Sequence, residues 1–171
     1  MKSGRLVLVV GPSGAGKDTV LDYAKKHLAG YPQCVFVRRF ITRPPGPGEE
    51  YQPITEADFK QRSFALSWSA HGLHYGIPLE IEADLALGKT VIANVSRSVL
   101  PMARKTYNCL VIEITAPPEI LAKRLAGRGR ETIADIQTRL NREALPTDAD
   151  ATIINDGLPE AAGALFLAKL S

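Results

Sequence analysis

Residues 5–20 read RLVLVVGPSGAGKDTV. The five apolar residues Leu6–Val10 suit a strand covered on both faces. Beyond the glycines, Val20, Leu21, Ala24 and Leu28 recur at helical spacing until Gly30. Between strand and helix, Gly11, Gly16 and Lys17 hold the fixed positions of G-x-x-x-x-G-K-[ST], a phosphate-binding loop. The backbone of Gly11, Pro12, Ser13, Gly14, Ala15 and Gly16 is expected to wrap an anion, and the helix start adds the positive end of its dipole. Lys17 supplies a point charge for the β- and γ-phosphates of ATP.

The next position departs from the pattern. Asp18 stands where a Ser or Thr hydroxyl normally helps to hold Mg²⁺, and Thr19 follows one residue late. A carboxylate is a hard oxygen ligand. The later strand VIANVSRS (91–98), where such loops commonly find a second acid, offers only Asn94 and Ser96. The expectation is that the acidic Mg²⁺ ligand has moved into the loop as Asp18. The competing reading is that Asp18 only stabilises the helix N-terminus electrostatically.

Working outward, apolar runs alternate with helical patterns along the whole length, which predicts an α/β fold around a parallel sheet. Strands are expected at Val35–Ile41, Thr90–Ser96, Leu110–Thr115 and Ala151–Asn155. FALSWSAHGLHYG (64–76) reads as short strands turning at His71-Gly72. Thr55 precedes a helix start, Pro78 suits the first position of a helix ending at Gly88, and Pro117-Pro118 opens another. Ile133, Ile136 and Leu140 share a helical face within 132–145, and a short helix closes the chain. RPPGPGEEYQP (43–53) is an irregular loop of the kind that usually carries function. A length of 171 residues, with 45% hydrophobic and 23% charged residues, fits one domain over 1–171. A net charge of +3 is too mild to argue for nucleic acid. Cys34 and Cys109 lack metal-ligand spacing and read as reduced core residues. The apolar run at 6–10 is too short for a signal peptide or a membrane span, so a cytoplasmic protein is expected.

Arginines gather in two places. Arg38, Arg39 and Arg43 lie on or after the second expected strand, where alternation would put Arg39 and Arg43 on one face and Arg38 on the other. Two guanidiniums on one face suit a second anionic ligand; a solvated edge pair is the bland alternative. The other cluster comprises Lys123, Arg124, Arg128, Arg130, Arg139 and Arg142, against only Glu131 and Asp135. Glycine-flanked arginines suit a lid that closes on phosphates and neutralises transition-state charge. A nucleic-acid patch is disfavoured because no aromatics interleave. Neither His71 nor His74 lies in a general-base motif. An acceptor that is already an ionised phosphate oxygen needs no base, so these parts point to a kinase that phosphorylates a phosphate.

GPSGAGK, TRPPGPGE (42–49), HYG (74–76), GRGR (127–130) and IIND (153–156) together resemble the guanylate kinase family, in order and over nearly the whole chain. The resemblance implies a P-loop NTPase fold of the nucleoside monophosphate kinase type, with an acceptor-binding region at about 38–78 and an arginine-bearing lid at about 124–142. It also implies that Arg43 and Tyr75 contact the acceptor's phosphate, that Arg128 and Arg139 act from the lid, and that Asn155 lies near the donor adenine. The departures fall on guanine recognition. Leu66 replaces the Glu that holds the base, Ile77 replaces a Ser or Thr, Gly46 replaces an Arg, Ser96 stands where an acid is expected, and the segment Tyr51–Thr55 is shortened. Arg39 meanwhile stands where that family has a small polar residue. This pattern, with GKDT in the P-loop, resembles the ribose 1,5-bisphosphate phosphokinases, a guanylate-kinase-like family linked to bacterial phosphonate breakdown. That resemblance implies transfer of the γ-phosphate of ATP to the 1-phosphate of ribose 1,5-bisphosphate, giving 5-phosphoribosyl 1-diphosphate (PRPP), with Arg39 taking the second phosphate.

Two other readings stay open at this point. A guanylate kinase with unusual base contacts would turn over GMP. A non-catalytic guanylate-kinase-like module would transfer from ATP to nothing, although such modules typically lose the lysine and arginines kept here as Lys17, Arg128 and Arg139. ATP and a phosphorylated sugar are the expected partners, with no nucleic acid and no membrane.

Overall fold

Leu6–Val10, apolar and wholly excluded from solvent, make up five of the six residues of strand β1 (Arg5–Val10) in the computed structural model, which describes residues 4–44, 50–127, 132, 134–136, 138 and 147–170. The chain divides into two compact units, one built from Met1–Leu8 and Gly30–Leu110, the other from Val9–Ala29 and Val111–Ser171.

In the second unit, the end of β1 runs through the glycine loop into helix α1 (Lys17–His27), which buries Val20 and Ala24 as the spacing requires. Strand β8 (Cys109–Thr115) is bonded in parallel to β9 (Ala151–Ile154), with Ile112 opposite Ala151 and Thr115 opposite Ile154. Helix α5 (Pro118–Ala126) starts on its Pro, where no N–H is needed, and buries Leu121 and Leu125. The last helix, α6 (Pro159–Lys169), lies against α1, burying Ala162, Gly163 and Phe166. Thr132 Oγ1 accepts from Asp135 N at 3.2 Å and Ile136 is fully buried, as the helical spacing expects. The expected partners Ile133 and Leu140 lie outside the described residues.

In the first unit, β2 (Cys34–Phe36) pairs in parallel with β7 (Thr90–Asn94). Within this unit the strand order is β2-β7-β1. A second sheet runs β4 (Gln52–Pro53), β3 (Phe40–Ile41), β6 (Leu73–Pro78), β5 (Phe64–Ala70). Its β5–β6 hairpin turns at His71-Gly72, both at positive φ (53° and 74°), which is the demand of a two-residue hairpin turn. Helix α2 (Glu56–Gln61) is capped by Thr55, whose hydroxyl accepts from Asp58 N at 3.1 Å. Helix α3 (Ile81–Ala86) buries Ile81 and Leu85, and helix α4 (Leu100–Thr106) follows a 3₁₀ turn at Arg97–Val99. The Tyr107 hydroxyl, after α4, donates to Glu82 of α3 at 2.7 Å; burial first, then that carboxylate, pushes its pKa up. Among the described residues no helix is long and apolar enough to cross a membrane.

Two expectations need correction. Val35–Ile41 is not one strand. The chain leaves one sheet after Phe36 and enters the other at Phe40, because Val37 N still bonds Ile92 O while Arg39 O already accepts from Gln52 N at 2.7 Å. Pro78 ends β6 opposite Phe64 instead of opening a helix, a place where its missing N–H does no harm. Helix α3 begins three residues later, although Gly88 does follow its end.

Packing of α6 on α1 makes a falsifiable demand. A Cβ at Gly163 would collide with the Tyr23 ring, itself stacked on His27 at 4.1 Å. Gly163→Val is therefore expected to cost about 1–3 kcal/mol through overpacking. At roughly 2–4 °C per kcal/mol for a chain of this size, thermal denaturation should show a drop of several degrees in Tm. An unchanged Tm would contradict this packing.

Candidate active site

The glycine loop is fixed from beneath by side chains far away in sequence. Arg124, on α5, donates from Nη1 to the Gly14 carbonyl at 3.1 Å and from Nη2 to the Asn155 carbonyl at 2.7 Å. Asn155, 4% exposed at the end of β9, donates from Nδ2 to the Ala15 carbonyl at 2.8 Å, and its own N–H bonds Thr115 O at 2.7 Å. Its Oδ1 is buried and accepts no hydrogen bond among the described residues. The fit is close: Gly16 has φ of 85°, and a Cβ there would stand 2.5 Å from Asn155 Nδ2. The Gly14 and Ala15 carbonyls are thus occupied from below, as suits a loop whose remaining N–H groups are expected to face an anion.

Lys17 opens α1, and its Nζ donates to the Gly11 carbonyl at 2.6 Å, so the ammonium is held folded back over the loop that it is expected to serve. Asp18 and Thr19 are exposed in the first turn of α1. Asp18 is a hard oxygen donor open to solvent. Among the described residues no group of three or more His, Cys, Asp or Glu side chains is placed to hold a metal. A donor set of one carboxylate completed by phosphate oxygens and water suits Mg²⁺, which keeps several waters and demands few protein ligands. Ser96, the position where an acid was expected, caps the following 3₁₀ turn, accepting from Ser98 N at 3.3 Å.

The residues expected on the acceptor side lie in the first unit. Arg39 is half-buried and Arg38 exposed, as alternation suggests. The guanidinium carbon of Arg39 stands 5.4 Å from the Tyr75 ring centroid, and its Nη1 donates to the Asn94 carbonyl at the long distance of 3.4 Å. Arg43 stands 4.4 Å over the Tyr51 ring. Tyr51 is only 6% exposed, and its hydroxyl donates to the Pro44 carbonyl. Arg43 lines a cleft of about 460 Å³ with Thr42, Pro44, Pro53, Ile54 and Thr55, bordered by Glu56 and Asp58. The two arginines therefore do not share a ring partner: the strand that was expected to align them is broken at 37–39. Thr42 and His74 exchange bonds (Thr42 N to His74 O at 3.0 Å, His74 N to Thr42 Oγ1 at 2.8 Å), which fixes the backbone just before Arg43. Leu66 and Ile77 face each other in the hairpin, 3% and 0% exposed. Cys34 and Cys109, expected in the core, are instead half-buried.

From the sequence, the loop, Lys17, Asp18, Asn155, Arg39, Arg43 and Tyr75 were named as candidates, and all lie among the described residues. Tyr51, the seat of Arg43, was not among them, and Arg124 was expected in the lid, whereas Arg124 belongs to α5 and grips the loop. Arg128, Arg130, Arg139, Arg142 and Gly46 lie outside the described residues.

A family model described as an AAA domain matches residues 7–144. A ribose 1,5-bisphosphate phosphokinase of Acidiphilium cryptum is 57% identical over 169 residues, covering 99% of this chain and 93% of the relative. One of Methylobacterium radiotolerans is 50% identical, covering 98% and 97%. Among solved structures, a guanylate kinase of Anaplasma phagocytophilum superposes with a TM-score of 0.70 at 16% identity, covering 99% of this chain and 86% of its own; that likeness is one of fold. The chain belongs to the ribose 1,5-bisphosphate phosphokinase family, a family of P-loop kinases that use ATP with a divalent metal.

Arg124→Ala removes two charge-assisted bonds, one to the Gly14 carbonyl of the loop and one to the carbonyl of Asn155, each worth about 1.5–3 kcal/mol. Calorimetric titration should show ATP binding weakened about tenfold or more. Unchanged ATP affinity would mean that the loop holds its shape without Arg124.

Proposed function

From that membership, we propose that this chain transfers the γ-phosphate of ATP to the 1-phosphate of ribose 1,5-bisphosphate, forming PRPP and ADP. One observation carries the acceptor assignment. The acceptor-side unit presents arginines seated on aromatic rings, Arg39 on Tyr75 and Arg43 on Tyr51, while the two positions at which a guanylate kinase would hold its base are the buried, apolar Leu66 and Ile77. A purine edge left without partners there would lose affinity steeply, whereas a phosphorylated sugar asks only for cations.

The donor is gripped by backbone N–H groups within residues 11–19, Pro12 having none, and by the dipole of α1. Lys17 exchanges the Gly11 carbonyl for β- and γ-phosphate oxygens, a favourable swap because an anion is the stronger acceptor. Asp18 would hold Mg²⁺ together with ATP's phosphate oxygens; when bound, the ion neutralises charge on the β- and γ-phosphates. Asn155, with its Oδ1 still able to accept, is assigned to the donor adenine. Arg43 and Tyr75 bind the 1-phosphate, Arg39 the second phosphate, and Arg128 and Arg139 neutralise charge on the transferring group from the lid. The attacking atom is an ionised phosphate oxygen, so no proton needs removing and no general base is assigned. Positioning and charge neutralisation are then the whole of the catalysis. The reading makes the protein a cytoplasmic enzyme.

In a coupled ADP-release assay, ribose 1,5-bisphosphate should support turnover and GMP should not; turnover with GMP alone would reverse the assignment. Arg39→Ala should raise the acceptor KM about tenfold or more, the worth of a charge-assisted bond, with the KM for ATP unmoved; an unchanged acceptor KM would remove Arg39 from the site. Asp18→Asn should raise the Mg²⁺ concentration for half-maximal turnover by about tenfold, and an unaltered Mg²⁺ requirement would leave Asp18 as a helix-terminus charge only.

A further inference from the structure

Trp68, the single tryptophan of the chain, lies on β5 directly across from Tyr75 on β6. Their ring centroids are 5.4 Å apart and the planes differ by 2°. Cross-strand pairing brings two such side chains together but does not make their rings coplanar; near-zero tilt marks a settled offset stack. Arg39 packs against the same Tyr75 ring, at 5.4 Å, and extends to the Asn94 carbonyl at the end of β7. Trp68, Tyr75 and Arg39 thus form a continuous series of planar groups within one unit.

The position of the series in the hairpin matters. Leu66 opposes Ile77 two pairs further along, beyond Ser67–Gly76, so the same face of β5–β6 carries Leu66, Ile77, Trp68 and Tyr75. It passes from two fully buried aliphatics to two half-buried aromatics. The opposite face is already occupied: Ser69 Oγ lies 2.7 Å from His74 Nδ1, and His74 stacks with Phe59 at 5.3 Å. Neither the Tyr75 hydroxyl nor the Trp68 indole N–H meets a hydrogen-bond partner among the described residues. Polar tips on a rigid aromatic pair, beside a guanidinium, form a place prepared for a polar anionic ligand.

We propose that Trp68 is a positioning residue for the phosphorylated acceptor: stacked on Tyr75, it fixes that ring, and through the ring the Arg39 guanidinium, before the acceptor arrives. This inference rests on the assignment of Tyr75 and Arg39 to the acceptor under the proposed function. Its physical content is pre-organisation. Arginine and tyrosine lose side-chain freedom on gripping a ligand, and a stack that has already ordered them removes that cost from the binding step.

The indole reports on itself, since no other tryptophan contributes to the emission. Titration of the wild-type enzyme with ribose 1,5-bisphosphate, without ATP, should change tryptophan fluorescence saturably. Trp68→Leu keeps apolar bulk and loses the stack; its acceptor KM should rise about tenfold, with the KM for ATP unmoved, and Trp68→Phe should restore the acceptor KM to within about threefold of wild type. Comparing Leu with Phe keeps the test open even if Trp68→Ala fails to fold. A silent fluorescence titration, an unmoved acceptor KM in Trp68→Leu, or equal rises in both KM values would overturn the proposal while wild-type turnover stands. No wild-type turnover of ribose 1,5-bisphosphate would overturn the functional reading, and this inference with it.

Discussion

The glycine loop depends on a knot of three hydrogen bonds, in which the Arg124 guanidinium donates to the carbonyls of Gly14 and Asn155 while the Asn155 side-chain amide donates to the carbonyl of Ala15. A loop rich in glycine has little reason to hold one conformation, because each glycine surrenders more backbone freedom on folding than any other residue. Steric walls alone, such as the contact that Gly16 would make with Asn155, forbid alternatives without selecting a shape. The knot selects one. It also turns the loop's acceptors away from the phosphate, since a carbonyl aimed at an oxyanion would repel it. Lys17 on Gly11 belongs to the same logic: the cation rests on a weak acceptor that a phosphate can displace.

The acceptor half is built on a different interaction, cations seated on aromatic faces. Each such contact is modest, about 0.5–1 kcal/mol when exposed and about 2 when desolvated. Stability is therefore not its main consequence. Arg39 on Tyr75 and Arg43 on Tyr51 rest by the guanidinium face, the geometry in which a cation meets an aromatic ring. The aliphatic pair Leu66–Ile77 completes the logic from the other direction, since a buried apolar surface discriminates against a ligand that needs hydrogen bonds. Asp18 then fits a chain that has no acid at the end of β7, where Ser96 is spent on capping a turn.

Much of this was legible in the sequence because it is local. The strand, loop and helix at 5–28 announce themselves by spacing, the hairpin by His71-Gly72, and α2 by Thr55. What escaped depends on contacts between distant segments. Alternation in VFVRRFI suits a single strand as well as two, and only pairing to β7 and β6 shows that the chain changes sheets between Phe36 and Phe40. Pro78 reads equally well as a helix opener or a strand end. Arg124 sits in a basic run that suggested a lid, yet its partners lie 110 and 31 residues away. Tyr51 and Trp68 carry no sequence signal of their own, because nothing in a one-dimensional pattern says which cation or ring they will meet.

Which phosphate group accepts the transferred phosphoryl decides the reaction, and phosphorus NMR observes the phosphorus of that group directly. With wild-type enzyme, Mg-ATP and ribose 1,5-bisphosphate, the predicted result is loss of the sugar's 1-phosphate signal and growth of a coupled diphosphate pair at C1, with the 5-phosphate signal kept. An unchanged 1-phosphate signal alongside GDP formation in a parallel tube containing GMP would contradict it, and would mean that Leu66 and Ile77 leave room for a base after all.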